Sequence, residues 1–152
     1  MPESTIEVID FFISLEAEFL VGDCYGVDAA VQKYLESKGY SNVTIYCSGE
    51  SPRNNFVTGA KVHSCAKAAK GLTGRAFHYV KDIQMANDCD FALVIWDGKS
   101  KGSENNIKRI LNLNKKHNFF INGSLNGRRD KHVPGAVLFS TLDIVLIEKT
   151  LD

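Results

Sequence analysis

Three loops of this chain bring glycine, acids, cations and hydroxyls together at spacings that could hold a ligand. The first is Gly22-Asp23-Cys24-Tyr25-Gly26-Val27-Asp28. It follows an apolar run and opens a helical pattern, so its backbone N–H groups are placed to meet an anion, and Gly22 and Gly26 permit close approach. Asp28 falls in the first helical turn, where the helix dipole stabilises a carboxylate that could also accept from a ribose hydroxyl. The second loop, 47–55, presents Arg53 and the amides of Asn54 and Asn55. A guanidinium can clamp a phosphate or carboxylate through two parallel donors. The third, Trp96-Asp97-Gly98-Lys99-Ser100-Lys101-Gly102-Ser103, is the richest: two lysines, two glycines and two hydroxyls, with Ser103 placed to cap the next helix. Gly98-Lys99-Ser100 is not a P-loop, because Leu93 stands where that motif needs its first glycine.

Other chemistries are poorly supplied. His63, His78, His117 and His132 have no metal spacing and form no nucleophile relay. Cys24, Cys47, Cys65 and Cys89 contain no CxxC pair and read as structural thiols. Lys81, Asp82 and Met85 share a helical segment with the spacing of a helix leaning into a cleft.

The elements that must position these loops follow from periodicity. Ser4 and Glu7 have capping-box spacing ahead of Ile6, Ile9, Phe12 and Ile13, predicting a helix over 4–16. Strands are expected at 18–22, 43–47, 91–96 and 118–121, as neighbours in a mostly parallel sheet. Residues 91–96, FALVIW, are apolar throughout, as a central strand covered on both faces should be. Helices are expected at 27–37, from about Tyr79 to Asn87, and at 104–113, while KVHSCAKAAKG allows one more. The apolar segment 136–147 reads as an antiparallel edge hairpin turning near 140–143.

Strands alternating with helices make an α/β protein, a three-layer Rossmann-like sandwich with a mostly parallel sheet and an antiparallel C-terminal edge. Ligands in such sheets collect beyond the carboxyl ends of the strands, which selects the three loops above. Residues 1–152 are expected to form a single domain, with 122–152 a variable C-terminal extension.

The chain has 152 residues, and its 18 basic side chains balance 18 acidic ones, so bulk charge does not indicate a nucleic-acid binder. The balance is uneven along the sequence. Residues 1–60 hold nine acids against three cations, whereas 61–132 hold fourteen cations against six acids. A positive middle suits a phosphate-bearing ligand. No apolar run approaches a membrane span and the start lacks signal-peptide order, so a cytoplasmic location is expected.

Together, Val21-Gly22-Asp23-x-x-Gly26-Val27-Asp28, Arg53-Asn54, Lys81-Asp82-x-x-Met85-Ala86 and the stretch from Asp90 to Ser103 resemble the SLOG superfamily. That Rossmann-like group includes LOG-type phosphoribohydrolases and the DNA-processing protein A domain, and the likeness is greatest to its small, uncharacterised bacterial and phage members. It spans about residues 17–121. The resemblance implies nucleotide-derived ligands, with the Gly22–Asp28 turn on the sugar or base side and Gly98, Ser100, Gly102 and Ser103 on the phosphate side. Two departures stand out. Many relatives open with a strand that this chain lacks before its first helix, so that the core is one strand short or 136–147 takes its place. Catalytic relatives carry a glutamate where Asn106 stands here, and an amide cannot replace a carboxylate as nucleophile or base.

The expected function is therefore binding of a nucleotide or nucleotide-derived ligand in a cleft at the strands' carboxyl ends, with no metal and no cofactor. The binding residues expected are Gly22, Asp23, Gly26, Asp28, Arg53, Asn54, Asp82, Asp97, Gly98, Lys99, Ser100, Gly102 and Ser103. One alternative is an N-glycosidic hydrolase or transferase using Asp23, Asp28, Asp82, Asp97 or Glu104. Another is a structural or protein-interaction domain with a vestigial pocket. A homodimer is expected, since a small sheet short of a strand leaves an edge to cover.

Overall fold

The computed structural model describes residues 3–96, 101–114, 116–121, 124–125 and 136–141. In chain order the elements are α1 (Glu3–Ser14), β1 (Glu18–Val21), α2 (Val27–Ser37), β2 (Val43–Cys47), β3 (Lys61–Ser64), α3 (Ala66–Ala69), α4 (Gly74–Asp88), β4 (Phe91–Trp96), α5 (Lys101–Asn112), β5 (Lys116–Ile121), β6 (Ser124–Leu125) and β7 (Ala136–Thr141). The sheet order is β3-β2-β1-β7-β4-β5-β6. Strands β1, β2 and β3 pair in parallel, as do β4 and β5. Strand β7 lies antiparallel between β1 and β4.

Helices cover both faces, which makes the three layers the sequence predicts. On one face α1 and α2 bury Ile9, Phe12, Val31 and Leu35 against Phe19, Val21, Val43, Ile45, Phe91 and Leu93. On the other, Met85, Ala86 and Cys89 from the α4 side and Ile107 and Ile110 of α5 meet Leu20, Tyr46 and Ala92. Odd and even strand positions therefore face opposite layers, as the pleat requires. No helix among the described residues is long and apolar enough to cross a membrane.

Several expectations are corrected. The C-terminal segment is antiparallel but interior. Residues 140 and 141 are paired strand rather than turn, because Ser140 bridges Phe19 on one side and Phe91 on the other. Strands β1 and β4 are consequently not neighbours. Lys61–Ser64 is an exposed edge strand followed by one helical turn, not a helix; parallel pairing with β2 holds it extended. Helices α1, α4 and α5 begin at Glu3, Gly74 and Lys101, so Ser4 and Ser103 stand inside their first turns instead of capping them.

Candidate functional site

The β1–α2 and β2–β3 loops are laced together before any ligand is considered. Asp23 is buried, and its carboxylate accepts the Arg53 backbone N–H at 2.9 Å and Arg53 Nη2 at 3.0 Å. Asn54 Nδ2 donates to the Asp23 carbonyl at 2.9 Å. Gln32, fully buried on α2, completes the clamp: its Nε2 donates to the Gly22 carbonyl at 2.8 Å and the Asn54 carbonyl at 3.3 Å, while its Oε1 accepts from the Phe56 N–H at 2.8 Å. These bonds satisfy backbone groups of loops that no sheet ladder serves. They also explain the residue types at 23 and 54 without a ligand. The Arg53 side chain remains 40% exposed, and its Nη2 also lies 3.1 Å from Cys24 Sγ.

Helix α4 forms the wall. The Ser48 hydroxyl, just past β2, accepts the Lys81 backbone N–H at 3.3 Å and donates to the His78 carbonyl at 3.5 Å. Lys81 is thus level with the strand ends, and the turns before it rise roughly 10 Å beyond the sheet at 1.5 Å per residue.

At the foot of that wall the charges converge. The Lys81 side chain is only 3% exposed, and its Nζ donates to Asp82 Oδ1 at 2.8 Å. Asp28 arrives from the first turn of α2, its Oδ2 accepting the Cys24 N–H at 3.1 Å. A β-carbon on Gly22 would sit 2.4 Å from Asp28 Oδ2 and 3.2 Å from Lys81 Nζ. Glycine at 22 makes room for these side chains, where the sequence suggested room for a ligand. Gly26 serves the backbone instead, since a φ of 86° lets the chain turn into α2 with no side-chain cap on the first N–H groups.

Burial pushes the Asp28 carboxyl above its usual range, and Lys81 and the Cys24 N–H only partly offset it. Burial alone would lower the Lys81 ammonium, but Asp82, Asp28 and Cys24 together outweigh it and hold the group above its ordinary value. Burial likewise raises the Cys24 thiol, against the pull of Lys81. A protonated amine and a protonated thiol are not nucleophiles. What the cluster offers is a fixed ammonium and two carboxylates able to accept from hydroxyl or amino groups. Tyr25 stands beside it, 78% exposed.

Of the expected binding residues, the structure gathers Gly22, Asp23, Gly26, Asp28, Arg53, Asn54 and Asp82 around the end of β1. Gly102 and Ser103 belong to the first turn of α5, after the carboxyl end of β4. Asp97, Gly98, Lys99 and Ser100 lie outside the described residues. Glu104 pairs with Lys108 at 3.6 Å, and buried Asn106 accepts from Arg109 Nη1 at 2.5 Å. Lys81 and Gln32 were absent from the expected set. Each had a signal, a long polar residue on the apolar side of a helix: Lys81 one turn before Met85, Gln32 beside Val31 and one turn before Leu35.

No protein-family model, curated protein or solved structure matches the chain.

Proposed function

We propose that this protein binds a nucleotide or nucleotide-derived ligand in the crevice at the carboxyl ends of β1 and β4. The sugar faces Asp28 and Asp82, and the phosphate faces the first turn of α5. The observation that carries this reading is the Asp28–Lys81–Asp82 cluster at Gly22. Lys81 is buried while Asp28 and Asp82 are partly exposed, and a charge withdrawn from water holds a fold together less well than an apolar side chain of the same size. Such clusters are therefore commoner where a ligand or a reaction uses them. Their position fits, since open α/β sheets bind ligands beyond the carboxyl ends of their strands, and the cluster lies at that end of β1. Charge agrees with the orientation, because the acidic part of the sequence supplies Asp28 and the basic part supplies Lys99 and Lys101.

Asp28 and Asp82 approaching one ammonium also favour a second reading, an N-glycosidic hydrolase or transferase in which one carboxylate stabilises the cationic sugar. Membership of the SLOG superfamily, a homodimer and a cytoplasmic location belong to the same proposal; the exposed edge strand β3, with Val62 46% exposed, supports the dimer.

The experiment is mass spectrometry of small molecules released from freshly purified protein, followed by calorimetric titration of AMP and CMP into wild type and Asp28→Asn. A retained nucleotide, or binding that Asp28→Asn weakens about tenfold, is expected from the loss of a charge-assisted bond. No retained nucleotide and no heat with either probe overturns the reading. Base released at an enzymatic rate by wild type and lost in Asp28→Asn replaces it with the second.

A further inference from the structure

Strand β3 is the outer edge of the sheet, and its four residues, Lys61–Ser64, are all exposed. The backbone groups of successive residues alternate sides. The Cys65 N–H donates to the Cys47 carbonyl at 2.8 Å, so the N–H and C=O groups of Lys61 and His63 also face β2, and those of Val62 and Ser64 face outward. The strand is braced in this form. The His63 ring stacks on Tyr46 with centroids 4.5 Å apart and planes 5° apart, and the Ser64 hydroxyl donates to the Gly49 carbonyl at 2.7 Å. An edge already fixed in extended form costs an incoming strand less ordering entropy.

Charge says which strand the edge takes. From Ser51 to Lys81 the sequence has no acid and six Lys or Arg. Arg53 and Lys81 are bonded to Asp23 and Asp82. Lys61, Lys67, Lys70 and Arg75 are exposed, and none of them pairs with an acid among the described residues. Lys61 opens β3, and Lys67 and Lys70 belong to the single turn of α3 and its end, just past the strand. Lysines along an open edge repel other basic strands. An extended segment bearing carboxylates meets the opposite case: backbone partners at Val62 and Ser64, an apolar contact in Val62, which is 46% exposed, and cations before and after them.

We infer that β3 is a docking edge for an extended acidic segment of a partner protein, which joins the sheet as a further strand. The test is fluorescence anisotropy with a labelled peptide of alternating glutamate and valine. Three probes are read against it: the same peptide with lysine for glutamate, the same peptide N-methylated at two adjacent central residues, and a short thymidine strand. Adjacent N–H groups point to opposite edges of a strand, so the methyl groups obstruct pairing on either side and leave the charge unchanged. The acidic peptide should bind, N-methylation should weaken it about tenfold, and the lysine peptide should not bind. Lys61→Glu combined with Lys67→Glu should weaken the acidic peptide about tenfold. Val62→Pro should weaken it as well, since proline removes an N–H that faces outward and spares the β2 ladder. No binding of the acidic peptide overturns the inference. Equal affinity after N-methylation overturns it too, leaving charge alone as the attraction. A thymidine strand that displaces the peptide and binds Val62→Pro as tightly as wild type gives the edge to nucleic acid instead. Light scattering that shows a dimer dissociated by Val62→Pro but not by the acidic peptide gives it to a second copy, and likewise overturns the inference.

Discussion

The α1/α2 face of the sheet is covered by Ile9, Phe12, Val31 and Leu35, whereas the α4/α5 face mixes Met85, Ile107 and Ile110 with the small Ala86 and Cys89. On that second face Ala86, Cys89 and Ala92 pack around Met85, and the buried stem of Lys81 runs up to a charged end. Large residues fill space and hold the layers by area removed from water. One turn before Met85, Lys81 reaches the loop after β1. Both faces bury apolar side chains, and the second also carries a charge to the loop after β1.

The difference can be broken most directly at Phe12. Phe12→Ala should cost about 3–5 kcal/mol in urea unfolding, the usual range for a buried aromatic truncated to alanine. A loss near 1 kcal/mol would show that Phe12 adds little to the first face. Lys81→Met keeps the stem and removes the charge, leaving Asp28 and Asp82 uncompensated, and should cost about 3 kcal/mol near neutral pH. Its pH dependence separates charge from packing. The Lys81 ammonium is held above its unfolded value of 10.5, so its stabilisation is complete below that pH and is lost as pH rises through the folded value. Asp28, raised above 3.8, behaves in the opposite sense for an acid: ionising it costs stability, and protonation removes that cost as pH falls. The gap between wild type and Lys81→Met should therefore narrow toward both extremes, and a gap constant from pH 4 to 11 would assign the loss to packing. The smallest effect is expected at Gly22. Gly22→Ala forces its new β-carbon onto Asp28 Oδ2, 2.4 Å away, and should cost about 1–3 kcal/mol, as overpacking does. Adding Asp28→Ala should recover part of that loss; additive losses in the double variant would mean the two do not touch.

How much of this the sequence revealed depended on whether a signal was local. Strands β2 and β4 were legible to the residue, because VTIYC and FALVIW are apolar or β-branched runs bounded by polar turns. Strand β3 was not: Lys61–Ser64 is exposed throughout and sits in a stretch of helix-forming residues, so only pairing with β2 makes it a strand. The place of β7 was equally hidden, since a run such as AVLFST fits an edge or a centre, and long-range pairing decides. At the site, the loops were found from glycine and charge. The partners of those residues were not. Asp23 and Asn54 spend their bonds on neighbouring loops, and the approach that Gly22 permits is made by Asp28 and Lys81, two side chains distant in sequence from each other.

The central position of β7 also bears on how the chain is made. A ribosome releases β1, β2 and β3 early and β4 and β5 later, two parallel groups that can each begin to form while translation continues. Neither can join the other, because the strand that bridges Leu20 to Phe139 and Ala92 to the same residue is the last of the described strands to emerge. Until then β1 and β4 present open inner edges, the kind of surface that recruits chaperones or pairs with a neighbouring nascent chain. The wait for residues 136–141 sets the moment at which those two edges are sealed within a single sheet.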